Sequence, residues 1–191
     1  MSRLELIAVI VNVLGVWLTA RRKMLCWPVG IVAVILYARL FFEWKLYDDM
    51  ALQLVYVIIQ IYGWRNWSAV LKNGYTTIQI IPMTFTNIVA GLAATTLSSA
   101  ALGGVMAVWT DDALPWIDSG LTCFSLLASF WSARRHSESW YLWIIVDAFY
   151  SLVFLYRHNE LTAALYGMFT FLALYGVWNW RSAQERKGTV I

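Results

Sequence analysis

The amino-acid sequence predicts an all-α integral membrane protein with seven transmembrane helices: three helices, a linking helix and three more. Three observations predict this fold. The chain has too few charges for a water-soluble surface, it contains seven apolar segments of membrane-spanning length, and its two ends align as an internal repeat. We therefore expect residues 1–191 to form a single membrane domain.

The composition indicates that lipid is the solvent for much of the surface. The 191 residues are 61% hydrophobic and 13% charged, whereas soluble domains average about 25% charged residues. The 12 Trp and 10 Tyr suit membrane interfaces and ligand cavities, because their rings combine an apolar body with a polar tip. The net charge of +3 is dispersed over segment ends, so we expect a lipid bilayer and no nucleic acid as partner.

The seven predicted spans each approach the length that crosses the hydrocarbon core, about 20 mainly apolar residues. The fourth is long and rich in Gly, Ala, Ser and Thr, which allow helices to approach closely in lipid. It is expected to be tilted or bent near Pro82. The spans are predicted near residues 4–20, 25–42, 48–66, 80–108, 114–132, 138–157 and 161–180.

The basic residues predict the orientation of the chain. With seven spans, one side of the membrane carries four of them, Arg3, Arg39, Lys45 and Arg157. Positively charged loops stay in the cytoplasm, so the N-terminus is expected outside and the C-terminus in the cytoplasm of a bacterial inner membrane. The ten basic residues of the cytoplasmic side are Arg21, Arg22, Lys23, Arg65, Lys72, Arg134, Arg135, Arg181, Arg186 and Lys187.

An internal repeat relates the two ends of the chain. Pairing Leu14 with Leu127 aligns residues 14–67 with 127–180 without a gap, and 14 of these 54 positions are identical. We call this alignment the repeat register. Its identical positions include polar, aromatic and glycine residues, which match by chance much less often than Leu or Val. They include Arg21 with Arg134, Arg22 with Arg135, Trp27 with Trp140, Tyr37 with Tyr150, Gly63 with Gly176, Asn66 with Asn179 and Trp67 with Trp180.

The repeat requires a linking helix. Three spans per copy would invert the second copy, yet the paired arginines are expected to be cytoplasmic in both copies. One further span must therefore separate residues 4–67 from residues 114–181, and residues 80–108 supply it. This 3+1+3 arrangement of parallel repeats is SWEET-like, with its axis along the membrane normal.

The sixth span contains the only acidic residue predicted deep inside a span, Asp147. A carboxylate near the bilayer centre costs about 2.5–3.5 kcal/mol on insertion scales, so it must face a cavity or a partner. Trp140, Trp143 and Tyr150 lie on the same helical stripe, at steps of 3, 4 and 3 residues. A flat cation could stack on such rings while Asp147 offsets its charge. In the structural alternative, the rings only pack, and Asp147 either hydrogen-bonds a neighbouring helix or is protonated because it is removed from water.

Stripes on three other spans supply the remaining candidates. Gln53 and Gln60 lie one heptad apart on the third span, and because unmet amides are costly in lipid they either contact a ligand or hold helices together. The seventh span offers Tyr166 and the second offers Trp27. The predicted substrate-binding residues are therefore Trp140, Trp143, Asp147, Tyr150, Gln53, Gln60, Tyr166 and Trp27.

The sequence predicts a transporter rather than an enzyme. An intramembrane enzyme needs a nucleophile–base pair, paired carboxylates or a metal cluster. The chain has a single buried acid and dispersed serines, and its two histidines, His136 and His158, are assigned to loops on opposite sides. The two cysteines lie in apolar stretches and suggest neither a disulfide nor a metal site. No cofactor is expected.

Three segments carry a resemblance to a known family. The segment from Glu138 to Asp147 has the pattern E-x-W-x-x-W-x-x-x-D and is followed by Leu161-Thr162-Ala163-Ala164-Leu165-Tyr166. The other two segments are Cys26-Trp27-Pro28-Val29-Gly30 and Tyr62-Gly63-Trp64-Arg65-Asn66-Trp67. With these segments the chain resembles the Pnu family of bacterial vitamin transporters, and the resemblance covers nearly its whole length.

The resemblance implies a SWEET-like homotrimer that takes up a vitamin precursor by facilitated diffusion, with trapping by cytoplasmic metabolism. It also implies that Trp140, Trp143 and Asp147 contact the substrate. Nicotinamide riboside, with its cationic pyridinium ring, is the expected substrate. Thiamine, also a cationic aromatic vitamin carried by members of the family, is the alternative.

Overall fold

The computed structural model describes residues 3–45, 47–111 and 113–188, without the side chains of residues 47, 48 and 185–188. Arg186 and Lys187, two of the basic residues used to predict orientation, therefore lie outside the described side chains. All regular secondary structure among the described residues is α-helical. Their helices are α1 (Arg3–Ala20), α2 (Cys26–Glu43), α3 (Tyr47–Lys72), α4 (Phe85–Trp109), α5 (Pro115–Ala133), α6 (Ser139–Tyr156) and α7 (Glu160–Gly188).

Five of the described helices are long and apolar enough to cross a bilayer: α1, α2, α4, α6 and α7. The other two carry more polar residues, with charges near both ends of α3 and a series of hydroxyl side chains along α5. Large apolar side chains are exposed on the outer faces, for example Ile58, Phe171 and Leu97. Such continuous apolar exposure is typical of a surface that contacts lipid, so the chain is a multi-pass membrane protein.

Six of the described helices form a closed ring, in the order α1, α2, α3, α5, α6, α7 and back to α1. The remaining helix, α4, packs on the outside of the ring against α5. Within the described residues, no Cα atom of α2 lies within 8 Å of a Cα atom of α6. These two helices therefore belong to different walls of the ring, and side chains that point inward from them meet in its interior.

The fourth helix begins at Phe85, so the start predicted at residue 80 is wrong. Pro82 lacks a backbone N–H and disfavours helical geometry at the residue before it. Helix α4 starts only after Thr84, whose hydroxyl accepts a hydrogen bond from the Asn87 backbone N–H at 3.4 Å. Helices α3 and α7 continue to Lys72 and Gly188, past the predicted ends at 66 and 180, because polar residues extend a helix beyond the hydrocarbon core.

Four of the described non-glycine residues have a positive φ, and they form two pairs that follow the repeat register. Arg22 (57°) pairs with Arg135 (69°), and Lys45 (60°) pairs with His158 (56°). L-residues rarely adopt this left-handed geometry except where a helix terminates. The backbone N–H groups of Arg22 and Arg135 accordingly bond back to the carbonyls of Thr19 and Ser132, so α1 and α5 end in the same way.

The main buried cluster lies at one end of the ring. The C-terminal parts of α1, α3, α5 and α7 meet there, close to Arg21, Arg22, Arg134 and Arg135. We call this end of the ring the arginine end. Trp67 and Trp180 are fully buried in the cluster, and their ring centroids lie 5.9 Å apart. Burying such large rings from α3 and α7 against each other holds this end of the ring closed.

Candidate functional site

Helix α6 places Asp147 in the interior of the ring. Its side chain is buried, with 5% of the residue exposed, so it does not point toward lipid. Among the described residues, its carboxylate has neither a hydrogen bond nor an ion pair. A buried acid without a partner is costly, and such a group in a membrane protein is a functional-site candidate.

Three tyrosine side chains from three helices lie within electrostatic range of Asp147: Tyr56 on α3, Tyr150 on α6 and Tyr166 on α7. The rings of Tyr150 and Tyr166 stack with centroids 4.7 Å apart, and Phe154 stacks on Tyr166 at 5.4 Å. The acid therefore lies beside a stack of aromatic rings, with which a flat cation could associate.

Tyr56 is held in place by a chain of hydrogen bonds to α5. The Ser125 hydroxyl donates to the Thr122 carbonyl at 2.8 Å, and the Tyr56 and Ser125 oxygens lie 2.6 Å apart. Because Ser125 has one proton and uses it on Thr122, the phenol of Tyr56 is the donor to Ser125. The Tyr56 oxygen thus keeps lone pairs that can accept a hydrogen bond from a ligand.

Gln60 fits over a glycine of the neighbouring helix. A Cβ atom on Gly30 would lie 2.6 Å from the Gln60 amide nitrogen, so the amide occupies space that the glycine leaves open in this conformation. In the repeat, Gly30 aligns with Trp143 and Gln60 with Ala173, and Trp143 packs against the cluster that contains Ala173. At this position of the repeat, the first half therefore has the amide of Gln60 and the second half has the indole of Trp143. The Gln60 amide has no hydrogen-bond partner among the described residues.

Gln53 makes a local contact. Its amide nitrogen donates to the backbone carbonyl of Asp49, one turn earlier on α3, at 3.4 Å. No contact in the described residues joins Gln53 to Asp147. Of the two predicted amides, Gln60 is therefore the one that makes no hydrogen bond within the described residues.

Trp27 and Trp140 pack in the cluster at the arginine end, apart from the tyrosines. Trp27 lies against Gly63 and Trp140 against Gly176, and each ring meets Trp67 or Trp180 edge to face, at 5.1 and 5.6 Å. Trp140 is two helical turns from Asp147, or about 10 Å along the axis. Neither indole N–H of the pair has a partner within the described structure.

Comparison with known proteins adds a further observation. The model of the family described as nicotinamide mononucleotide transporters matches residues 2–182, which is nearly the whole chain. The chain belongs to this transporter family.

Relatives and a solved structure agree with this assignment. Nicotinamide riboside transporter PnuC of Escherichia coli K12 is 26% identical over 213 residues, covering 97% of this chain and 88% of the relative. PnuC of Neisseria mucosa is 28% identical over 199 residues, covering 97% and 74%. The crystal structure of the vitamin B3 transporter PnuC matches with a TM-score of 0.78 and 24% identity, over 96% of this chain and 82% of that one, which indicates a shared fold.

Tyr56 and Ser125 are not among the site residues that the sequence of this transporter predicts. A usable signal exists for Ser125, because Ser119, Thr122, Ser125, Ser129 and Ser132 follow one another at steps of 3, 3, 4 and 3 on a mainly apolar helix. Hydroxyls at that spacing share one face. The spacing of the hydroxyls does not predict that Tyr56 is the partner of Ser125, because the two residues are 69 positions apart in the sequence.

The arrangement in this transporter supports binding and excludes open access. Asp147, Tyr56 and Gln60 offer acceptor atoms, and the Tyr150–Tyr166 stack offers an aromatic surface. Two open grooves on the outer face of α3 are lined by other residues, among them Trp64, Arg65 and Tyr62. Because Asp147 is only 5% exposed, a ligand can contact its carboxylate only after neighbouring side chains or helices move.

Proposed function

We propose that this chain carries nicotinamide riboside across the bacterial inner membrane, with thiamine as the alternative substrate. The observation that carries the proposal is the buried, unpartnered carboxylate of Asp147 beside stacked aromatic rings. Membership of a nicotinamide nucleotide transporter family and the two relatives named as nicotinamide riboside transporters support the same conclusion.

The chemistry of the site suits a cationic aromatic vitamin. A pyridinium or thiazolium ring has a positive charge that Asp147 offsets at short range. The ring faces of Tyr150 and Tyr166 attract such a cation. Tyr56 and Gln60 accept hydrogen bonds from ribose hydroxyls, an amide or an amino group. Trp143 and Trp140 extend the aromatic wall toward the arginine end, and Trp27 is the equivalent of Trp140 in the first repeat.

We further propose that all seven helices cross the membrane as two parallel three-helix repeats in the SWEET-like 3+1+3 order, with α4 as the link. The contact of α1 with α7 is the counterpart of the contact of α5 with α3, as two parallel copies require. The left-handed residues, which follow the repeat register, support the same symmetry. Rocking of the two repeats around the central site would then give alternating access.

The arginine end is proposed to face the cytoplasm, which puts the N-terminus outside. Arg21, Arg22, Arg134 and Arg135 flank the membrane there, in agreement with the positive-inside rule. Facilitated diffusion with trapping by cytoplasmic metabolism, and assembly as a homotrimer, complete the proposal. Both rest on the resemblance to the Pnu family.

Calorimetric titration of the purified protein with nicotinamide riboside and thiamine, in parallel, tests the proposed substrate. Saturable heat with the riboside and weaker or no heat with thiamine is the expected result. Tighter binding of thiamine would move the assignment to the alternative. Heat from neither vitamin would contradict a site for cationic aromatic vitamins.

A further inference from the structure

The connection between α3 and α4 does not cross the surface as a free loop. Within it, Ile78 is 4% exposed and Ile80 is 8% exposed, and both belong to the cluster that contains Trp67 and Trp180. Residues two apart in an extended chain point to the same side, so the side chains of both isoleucines point into the buried cluster at the arginine end. We call residues 75–83 the strap.

Hydrogen bonds tie the strap to the turn between α5 and α6. The Ile81 backbone N–H donates to the Arg135 carbonyl at 3.0 Å, and the Arg135 guanidinium donates to the Gln79 carbonyl at 3.4 Å. The imidazole Nδ1 of His136 lies 2.8 Å from the Ile81 carbonyl oxygen. The Met83 backbone N–H, beyond Pro82, donates to the Glu138 carboxylate at 3.1 Å.

The helices beneath the strap are also joined across the two halves of the ring. The Asn66 amide on α3 donates to the Ala133 carbonyl on α5 at 2.8 Å. The Trp180 indole on α7 donates to the carbonyls of Thr19 and Ala20 on α1, at 3.2 and 3.1 Å. If the first three helices separate from the last three at this end, these bonds must break. Ile78 and Ile80 would also lose the part of the cluster that the first three helices supply.

We propose that the strap is the gate of the arginine end. In this conformation the strap closes the interior of the ring between Asp147 and the arginine end. It moves aside when the substrate passes through the arginine end. This proposal rests on the transport activity proposed above. The strap is suited to such movement because it is held by two isoleucines and a few hydrogen bonds rather than by a helix of its own.

The two cysteines of the chain provide reporters for strap opening. Cys26 is 3% exposed within the same cluster as Ile78 and Ile80, so opening the strap should expose its thiol. Cys123 lies on α5 outside that cluster. The rate of labelling by N-ethylmaleimide depends on access to the thiol. It is measured for Cys26 in a Cys123→Ser background and for Cys123 in a Cys26→Ser background.

The variant Ile78→Ser/Ile80→Ser loosens the strap, and Ile81→Ser, at an exposed neighbouring position, is the matched control. We expect the double variant to raise the labelling rate of Cys26 by about ten-fold and to leave the labelling rate of Cys123 unchanged. In the Ile81→Ser control, the labelling rates of both cysteines should stay the same. Unchanged labelling of Cys26 overturns the proposal. Equal acceleration at both cysteines also overturns it, because it indicates general loosening.

A second arm locks the strap. The pair Ile81→Cys/His136→Cys, in a background carrying Cys26→Ser and Cys123→Ser, is joined by a short bis-maleimide in protein reconstituted in liposomes. Loss of riboside flux with riboside binding retained supports the gate, and undiminished flux overturns it. Absence of riboside binding in the unmodified protein would contradict the proposed substrate instead, and the Cys26 labelling would still decide whether the strap opens.

Discussion

Trp67 and Trp180, which occupy equivalent positions in the repeat, meet at the arginine end and bond to equivalent partners in opposite halves. The Trp67 indole donates to the Ser132 carbonyl at 3.3 Å, and the Trp180 indole donates to the Thr19 carbonyl at 3.2 Å. Ser132 and Thr19 are themselves equivalent in the repeat register. Each half of the ring is thus fastened to the end of the first helix of the other half.

The reciprocal bonds predict that Trp67→Phe and Trp180→Phe destabilise the protein by similar amounts. Each change removes an indole donor, at a net cost of about 0.5–1.5 kcal/mol, because the Ser132 and Thr19 carbonyls keep their bonds from the backbone N–H groups of Arg135 and Arg22. Thermal unfolding in detergent measures the effect. Trp178→Phe is the matched control, because Trp178 is 66% exposed. A loss of stability as large in the control would show that the bonds to Ser132 and Thr19 contribute nothing.

Asp147→Ala should weaken riboside binding by about ten-fold or more, a loss of about 1.4 kcal/mol or more, because the charge that offsets the cation is removed. Calorimetric titration gives the Kd. Asp111→Ala changes an exposed acid outside the helices and should leave the Kd unchanged. Equal effects of the two substitutions would remove Asp147 from the site.

Tyr56→Phe should weaken riboside binding by about five- to ten-fold, since it deletes an acceptor for a ligand hydroxyl or amide, with a net loss of about 1 kcal/mol. Ser125→Ala frees the Tyr56 proton without removing the phenol, so its effect should be smaller. Titration of both variants alongside Tyr156→Phe, an exposed tyrosine at the end of α6, measures the difference. Unaltered affinity in Tyr56→Phe would exclude Tyr56 from the site.

Gly63→Ala and Gly176→Ala should both lower the melting temperature. An added Cβ would collide with the Trp27 ring in the first case and with the Trp140 ring in the second, and overpacking of this kind costs about 1–3 kcal/mol. Gly167→Ala, also on α7, meets only the Ser151 hydroxyl at 3.8 Å. That control should be neutral or stabilising, because Ala favours a helix over Gly by about 1 kcal/mol. Destabilisation by all three would mean that the indole contacts are not the cause.

Composition and spacing were enough to predict the all-helical membrane class, whereas the repeat arrangement and the role of Asp147 in binding stay predictions. Composition and apolar length reflect the solvent around the chain, and the period of a helix fixes which side chains share one face. The stripe of Trp143, Asp147 and Tyr150 could therefore be derived from the sequence alone.

Which faces meet was settled by tertiary packing. Ser125 became a partner of Tyr56, Gln60 filled the space over Gly30, and Gln53 turned to its own helix. Residues 80–84, predicted to be helical, instead belong to the non-helical connection before Phe85, because Pro82 interrupts the helix and Ile80 enters a buried cluster together with Ile78. Helical periodicity specifies a face, but the neighbour of that face depends on how all the helices pack together.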